Sequence, residues 1–234
     1  MNVQEATTRR LPDLKGRYLP KNCRETINTI LKETYGYEQF RNLEIYDDLS
    51  KGKEKLCISQ GQLIENVILE AEKAWKGETQ VDNILLTAPT GSGKSLLFQL
   101  PAIYLGKEYN LLTIVVSPLK ALIVDQVESL QELGYTRVAY ASSDLSPEQK
   151  MEVYRQVREG EIDLFYLSPE LLLSYDIKHF VGERRIGLVV VDEAHTVTTW
   201  GKEFRVDYWF LGRYLTALKQ TLGYNFPLFA LTAT

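Results

Sequence analysis

A glycine-rich turn between a predicted strand and a predicted helix has the residue types and spacing needed to hold phosphate groups. The turn runs Ala88-Pro89-Thr90-Gly91-Ser92-Gly93-Lys94-Ser95 and fits a Walker A pattern, with Ala88 where that pattern has its first glycine. Glycines let backbone N–H groups turn toward phosphate oxygens, and the helix N-terminus adds a favourable dipole. We therefore predict that residues 89–95 bind a nucleotide. Lys94 would reach the β and γ phosphates, and the Ser95 hydroxyl would bind Mg²⁺.

Two adjacent acids at the end of a predicted strand supply the groups that metal-assisted hydrolysis needs. Asp192 and Glu193 follow the apolar run 188–191, about 97 residues after the glycine-rich turn. The carboxyl ends of parallel strands meet at one crevice, so both acids should face the phosphates. We predict that Asp192 holds Mg²⁺ and that Glu193 orients and deprotonates the attacking water. The predicted catalytic residues are thus Glu193, Lys94 and Asp192, whereas His195 is assigned to coupling.

Short apolar runs alternate with amphipathic stretches along most of the chain, which predicts the elements that position these groups. Buried strands alternating with helices indicate an α/β fold, with a mostly parallel sheet and helices on both faces. The predicted strands cover residues 83–88, 112–117, 137–141, 164–168, 188–192 and 228–232. The predicted helices cover residues 24–33, 63–75, 94–106, 119–133, 147–158 and 205–219.

Local signals mark several of these boundaries. Ser146, Pro147 and Gln149 indicate an N-cap, a proline at the first helical position and a capping-box glutamine. Gly134 is expected to cap the end of the preceding helix. Pro101 falls inside a predicted helix and should kink it.

Composition narrows the class of protein without selecting a function. The chain has 234 residues, 44% of them hydrophobic, enough for one large domain with an appendage. Its net charge of −4 gives no broad basic surface for nucleic acid, although a local strip is not excluded. Cys23 and Cys57 lack the spacing of a zinc site and indicate reduced thiols in a cytosolic protein.

The sequence also gives an expectation for membranes and location. No apolar run has the roughly 20 residues that cross a bilayer. The first ten residues lack the apolar stretch of a signal peptide. We therefore expect a cytoplasmic protein of the bacterial cytosol or nucleoid, with no membrane partner.

The two motifs together resemble superfamily 2 helicases, and further segments narrow the resemblance to the RecQ-like group. Those segments are 90–102, similar to motif I, 115–130, similar to motif Ia, 165–172, similar to motif Ib, and 231–234, similar to motif III. The resemblance implies a RecA-like P-loop NTPase domain that uses ATP and Mg²⁺. It also assigns Ser117, Pro118, Thr232 and Thr234 to the coupling between ATP and nucleic acid.

The segment 200–208 is similar to the aromatic-rich loop of RecQ helicases, which senses single-stranded DNA and couples it to hydrolysis. Aromatic faces stack on unpaired bases with about 1–3 kcal/mol each, and arginine adds charge. The resemblance implies this role for Trp200, Phe204, Arg205 and Tyr208. The aromatic spacing of i, i+4 and i+8 also fits one buried helix face, so the residues alone leave a packing role open. Lys202 and Val206 stand where the family usually has His and Pro.

The segment 35–41 resembles the start of the RecQ nucleotide-recognition motif, with Tyr at position 35 where that pattern has Phe. A glutamate stands where the motif has its glutamine, and Gln60 at the next helix start is the better match. We infer an insertion of about 16 residues between the two halves. The resemblance implies that Gln60 reads the adenine edge and that Tyr37 or Arg41 stacks on the ring. Gln62 is the alternative to Gln60.

These observations predict the ATP-binding half of a DNA helicase. Residues 1–55 would form an N-terminal accessory segment with part of the adenine motif, and residues 56–234 the first RecA-like domain. In the family, a second such domain in cis supplies an arginine finger, and the chain stops before it. We therefore expect this polypeptide to bind ATP and Mg²⁺ but to hydrolyse ATP poorly.

The resemblance implies 3′–5′ translocation on single-stranded or forked DNA with duplex unwinding. Two alternatives stay open at this point. One is a double-stranded DNA translocase with the same ATPase core. The other is an ATP-switched module of a larger DNA-processing or defence assembly, although the presence of both Glu193 and Lys94 weighs against a retired ATPase.

Overall fold

The computed structural model describes residue 20 and residues 22–46, 55–194 and 206–233. The strands are β1 (Asn42–Tyr46), β2 (Lys55–Ser59), β3 (Ile84–Thr87), β4 (Leu112–Val116), β5 (Val138–Ala141), β6 (Leu164–Leu167), β7 (Ile186–Val191) and β8 (Leu228–Thr232). The helices are α1 (Glu25–Tyr35), α2 (Gln60–Trp75), α3 (Leu96–Tyr109), α4 (Lys120–Glu132), α5 (Pro147–Glu159), α6 (Pro169–Ser174), α7 (Ile177–Val181) and α8 (Val206–Leu222).

Strands β3 to β8 form one sheet in the order β3-β8-β7-β4-β6-β5, and every pair in it is parallel. Every residue of β4, β6 and β7 is buried, as expected for strands covered on both faces. The predicted α/β fold with a parallel sheet and helices on both faces is confirmed.

The core has two layers because successive strand residues point to opposite faces of the sheet. Val115 and Val190 pack on one face with the apolar sides of α1 to α4. Ile114 and Val189 pack on the other face with α5 to α8. The apolar runs of the sequence are therefore continuous because both faces of each central strand are covered.

An antiparallel hairpin of β1 and β2 occupies the inferred insertion, and the sequence analysis did not predict it. Its register pairs Asn42 with Ser59 at the base. Leu43 and Ile58 are buried against the α1–α4 layer. The short helices α6 and α7 were also not predicted. The boundary predicted between residues 55 and 56 falls at the start of β2, and the division into two segments stays a prediction.

Two predicted helix boundaries are confirmed by their hydrogen bonds. The Ser146 hydroxyl accepts from the Gln149 backbone N–H, and the Gln149 side chain accepts from the Ser146 N–H, which completes the capping box. Gly134 has a left-handed φ of +85° just after α4, and its N–H bonds to the Gln131 carbonyl. Helix α3 continues through Pro101 to Tyr109.

Within the described ranges, no helix combines the length and the apolar character that spanning a bilayer requires.

A partly buried ion cluster fastens the start of α1 to α2 and α3. The Arg24 guanidinium contacts Glu65 and Glu72 at 2.6 Å each and lies 4.8 Å from the centre of the Tyr104 ring. Burial alone would raise the pKa of Glu72, but hydrogen bonds from Arg24 and Tyr109 outweigh it and lower this pKa. The charge on Arg24 therefore stabilises two carboxylates that have lost most of their water.

We predict that Arg24→Met lowers the free energy of unfolding by about 3 kcal/mol, because two buried carboxylates lose their counter-charge. A carboxyl with a lowered folded pKa contributes stability above its unfolded pKa and loses it as the pH falls through the folded value. The difference in the free energy of unfolding between the unmodified protein and Arg24→Met should therefore shrink below about pH 4. Urea denaturation at several pH values measures both effects.

The matched control is Lys32→Met, which breaks an ion pair with Glu38 whose side chains are 63% and 71% exposed. It should cost less than about 0.5 kcal/mol. Equal losses in the two variants would contradict the interpretation.

Candidate functional site

The segments predicted to do chemistry lie at the carboxyl ends of strands in the parallel sheet. The glycine-rich turn follows β3, Asp192 follows β7 and Ser117 follows β4, while Thr232 is the last residue of β8. Since β8 lies between β3 and β7, it separates the glycine-rich turn from the acidic pair. This is the edge at which α/β sheets bind ligands.

Backbone hydrogen bonds join these segments although they lie far apart in the sequence. The Ala88 N–H donates to the Thr232 carbonyl at 3.0 Å, and the Ala194 N–H donates to the Leu231 carbonyl at 2.8 Å. The Asp192 N–H donates to the Val116 carbonyl at 2.9 Å. The end of β8 is thus bonded to the glycine-rich turn on one side and, on the other, to Ala194 of the DEAH segment, which is residues 192–195.

The glycine-rich turn has the backbone of a phosphate-binding loop. Gly91 and Gly93 have left-handed φ values of +80° and +76°, which side chains other than glycine rarely adopt. The Lys94 ammonium lies over the turn and donates to the carbonyls of Ala88 and Pro89 at 3.0 and 3.2 Å. Its charge is therefore already held above the loop that would receive the phosphates.

Two buried hydroxyls without a partner lie at the same edge. Among the described side chains, the buried oxygens that lack a hydrogen bond are the hydroxyls of Ser92, Thr113 and Ser117. Ser92 belongs to the glycine-rich turn and Ser117 directly follows β4, whereas Thr113 lies near the amino end of β4. An unpaired buried hydroxyl carries a desolvation cost of about 1–3 kcal/mol, which a polar ligand would relieve. Ser92 therefore fits a site for phosphate oxygens.

The acidic pair has a strained backbone. Glu193 has a φ of +49°, and its N–H donates to the Asp192 carboxylate at 2.9 Å. Such a conformation costs a residue with a side chain about 1–2 kcal/mol. Asn110 is the other non-glycine residue with positive φ in the described ranges, and asparagine tolerates it better. Strain of this kind clusters at functional sites, which agrees with the predicted role of Glu193.

The donor set suits Mg²⁺ held jointly with phosphates. In the described part of the chain, no group of three or more His, Cys, Asp or Glu side chains could hold a metal alone. Mg²⁺ in nucleotide sites usually takes only one or two protein oxygens and completes its shell with phosphates and water. The Ser95 hydroxyl and the Asp192 carboxylate fit this mode, and their metal role stays a prediction.

A cavity of about 360 Å³ brings the predicted adenine residues to the glycine-rich turn. Tyr37, Arg41, Gln60, Gly93 and Ser95 all line this cavity. Tyr37 is 51% exposed, so its ring is available to a planar base. The size of the cavity, and its mainly apolar lining with a few polar groups, suit a nucleotide base and sugar.

The two candidate glutamines have different surroundings. Gln60 is 2% exposed, accepts from the Arg41 N–H at 3.1 Å and donates to the Ser92 carbonyl at 2.9 Å. Gln62 instead accepts from the Ser59 N–H and donates to the Pro20 carbonyl, as part of the capping box of α2. Gln60 therefore lies at the cavity, and its amide has one N–H and one lone pair left for a base.

The predicted coupling residues are only partly described. Ser117, Pro118 and Thr232 are buried at the carboxyl edge of the sheet. The residues outside the described ranges are His195, Trp200, Phe204, Arg205 and Thr234. Tyr208 lies in α8, and its side chain falls outside the described part. The role of the 200–208 segment therefore stays a prediction.

Tyr35 and Gln99 also line the cavity, although neither was predicted as a site residue. The Tyr35 hydroxyl donates to the Gln99 side-chain oxygen at 2.8 Å. Gln99 follows Ser95 by four residues, one turn of helix, and the Gln99 N–H bonds to the Ser95 carbonyl at 3.0 Å. That spacing was the signal that could have identified Gln99.

A larger cavity of about 720 Å³ lies at the opposite edge of the sheet. Its lining includes Arg185 before β7 and Asn225 before β8, at the amino ends of the strands, and none of the predicted site residues. Ligands of parallel α/β sheets bind at the carboxyl ends. The smaller cavity is therefore the candidate nucleotide site.

A family model described as DEAD/DEAH box helicase matches residues 64–234. The chain belongs to the DEAD/DEAH box helicase family. Within this family it is RecQ-like. It is 34% identical to the ATP-dependent DNA helicase RecQ of Synechocystis sp. over 216 residues, which cover 90% of this chain and 38% of that protein. It is 31% identical to the ATP-dependent DNA helicase RecQ of Haemophilus influenzae, and the match covers 89% of this chain and 28% of that protein.

Solved helicases have the same fold as this RecQ-like domain. The crystal structure of the DUF1998 helicase MrfA bound to DNA and AMPPNP matches with a TM-score of 0.57 and 20% identity, covering 93% of this chain and 27% of that one. The helicase domain of Hef from Pyrococcus furiosus matches with a TM-score of 0.51 and 22% identity. That match covers 73% of this chain and 32% of the Hef chain. The expected RecQ-like resemblance and RecA-like fold are confirmed. The chain spans about a third of the length of the curated relatives.

We predict that Gly93→Ala lowers the free energy of unfolding by more than Gly91→Ala does. Both substitutions place a side chain at positive φ, but only a Cβ at position 93 would lie 2.7 Å from the Gln60 amide nitrogen. Moving that flexible amide away breaks its bonds to Ser92 and Arg41, which should add about 1–2 kcal/mol. Chemical denaturation without nucleotide measures the difference.

Gln60→Ala provides the control for this prediction. In that background the extra cost of Gly93→Ala over Gly91→Ala should disappear, because the clashing amide is gone. A difference that persists would show that the amide is not its cause.

Proposed function

We propose that this domain binds ATP and drives a DNA helicase that hydrolyses ATP in response to single-stranded DNA. The observation that carries the proposal is the position of the β8 end. Its Thr232 and Leu231 carbonyls bond to the first residue of the glycine-rich turn and to the DEAH segment. The groups for phosphate binding and for water activation are therefore held at one edge, on either side of motif III.

The residues of the site divide the work of hydrolysis. The base would enter the 360 Å³ cavity against Gln60, with Tyr37 or Arg41 on its face. Lys94 would exchange its bonds to two backbone carbonyls for stronger charge-assisted bonds to phosphate oxygens. Glu193 would take the proton of the attacking water. Mg²⁺, held by Ser95 and Asp192, would supply charge neutralisation at the phosphates.

Coupling to DNA is proposed for the segments that end beside this site. Ser117 and Pro118 directly follow β4, the neighbour of β7, which Asp192 follows, and Thr232 ends β8. The names of the curated RecQ relatives support DNA as the partner. The finer expectations rest on family resemblance: sensing by the 200–208 segment, 3′–5′ polarity, forked DNA and a second RecA-like domain in cis. A cytosolic location likewise stays a prediction.

The deciding experiment is the ATPase rate of the full-length protein with single-stranded DNA, with duplex DNA and without DNA. We expect a large rise with single strands alone. A rise only with duplex would favour the double-stranded translocase. No rise with either, with ATP still bound, would favour the ATP-switched module.

We predict that Glu193→Gln lowers the DNA-stimulated rate by about 10²–10⁴-fold, the usual contribution of a general base. Nucleotide affinity should change little, because the substitution keeps the size and removes only the charge. Steady-state turnover and equilibrium binding of an ATP analogue measure the two effects. Turnover equal to that of the unmodified protein would show that Glu193 is not the base.

We predict that Lys94→Ala weakens ATP binding by about 10- to 100-fold, since it removes charge-assisted bonds to the phosphates. Lys107→Ala, at the exposed end of α3, removes an equal charge away from the turn and serves as the control. Similar losses in both variants would indicate a general electrostatic effect instead of a contact.

A further inference from the structure

A hydrogen-bonded chain with a buried centre runs from the nucleotide cavity through α3 to α4, and no role has been assigned to its four side chains as a set. Its centre is Gln99, which is 5% exposed. The Gln99 oxygen accepts from the Tyr35 hydroxyl at 2.8 Å. The Gln99 nitrogen donates to the Gln126 oxygen at 2.8 Å and to the Tyr166 hydroxyl at 3.2 Å.

These bonds hold the Gln99 amide in one orientation. A carboxamide has two N–H groups and one oxygen, and all of these groups are engaged here. Burial raises the pKa of the Tyr35 hydroxyl and of the Tyr166 hydroxyl, so both stay protonated and neutral. Removing one partner of a buried network leaves the others unsatisfied. The four side chains therefore keep a common arrangement.

The ends of the chain lie at functionally different places. Tyr35 lines the cavity and stacks with Tyr37, with ring centres 6.2 Å apart. Gln126 belongs to α4, the helix that begins two residues after the Ser117-Pro118 pair. Gln99 itself lies one turn after Ser95 in α3. This hydrogen-bonded chain thus connects the base side of the nucleotide cavity with its phosphate side. It also connects both to α4, the helix that follows the Ser117-Pro118 pair proposed to couple to DNA.

The Tyr35 hydroxyl is not needed for packing at this position. A phenylalanine ring would fill the same space without a hydroxyl. An apolar side chain in place of Gln99 would also fill its buried site without a desolvation cost. A connected polar network in a core is therefore better explained by fixed positioning than by bulk packing.

We propose that Gln99 is a positioning residue that ties the nucleotide cavity to α4, so that nucleotide and single-stranded DNA each change the affinity for the other. The inference rests on the proposed function, because it presupposes a nucleotide in the cavity and DNA beside α4. Such coupling is reciprocal, since the two affinities must change by the same factor.

The test uses Gln126→Met in the full-length protein, which removes the far partner of Gln99 and keeps the side-chain length. The probe is the non-hydrolysable analogue AMPPNP, and its dissociation constant is measured with and without an oligothymidine strand. We expect the AMPPNP dissociation constant without DNA to stay within about twofold of that of the unmodified protein. The DNA-induced factor, which is the ratio of the AMPPNP dissociation constants measured without and with DNA, should fall at least threefold. Gln131→Met, at an exposed position of the same helix, should leave both unchanged.

A double-mutant cycle separates coupling from packing. Tyr35→Phe should also reduce the DNA-induced factor, and adding Gln126→Met should reduce it no further, because both changes interrupt one chain. Thermal unfolding midpoints are recorded for every variant. Additive reductions, or lower midpoints with an intact DNA-induced factor, would overturn the inference and leave Gln99 a packing residue.

The same measurements distinguish this inference from the proposed function. If DNA changes AMPPNP affinity in the unmodified protein and equally in Gln126→Met, only the role of Gln99 is wrong. If DNA has no effect on AMPPNP affinity in the unmodified protein, the DNA-coupled function fails, and the inference fails with it.

Discussion

Parallel pairing is the constraint on which the site depends. All six strands of the main sheet run in the same direction, so their carboxyl ends meet at one edge. Residues 88 and 232 are 144 positions apart in the sequence, yet a 3.0 Å backbone hydrogen bond joins them. Because β8 lies between β3 and β7, the phosphate turn and the acidic pair are neighbours of one strand end. Their separation is therefore set by strand spacing and not by the length of chain that connects them.

The predicted adenine side of the site is closed by the β1–β2 hairpin and not by the parallel sheet. The β1–β2 hairpin returns the chain so that Arg41 and Gln60, 19 residues apart, bond to each other through the Gln60 N–H and the Gln60 side chain. The same Gln60 amide then bonds to the Ser92 carbonyl of the phosphate turn. An insertion that closes as an antiparallel hairpin leaves its two ends adjacent, so the two halves of the predicted recognition motif stay next to each other.

The sheet was predictable from the sequence because strands such as β4 and β7, buried on both faces, are unbroken apolar runs. The hairpin was missed although its strands alternate polar and apolar residues, because each alternation spans only five residues. Helices α6 and α7 are too short to show a helical period. Ser59 and Gln62 have capping-box spacing, a signal that could have assigned Gln62 to the helix end and left Gln60 for the cavity.

Glu193, the predicted general base, has a strained backbone at the same edge. Its left-handed backbone is flanked by two bonds, from its own N–H to the Asp192 carboxylate and from the Ala194 N–H to the Leu231 carbonyl. The second bond reaches β8, whose next residue, Thr232, bonds to the start of the phosphate turn. A shift of the β8 end would therefore act on the proposed base and on the phosphate loop together. The end of β8, which resembles the start of motif III, is thus joined by one backbone bond to each half of the predicted hydrolysis site.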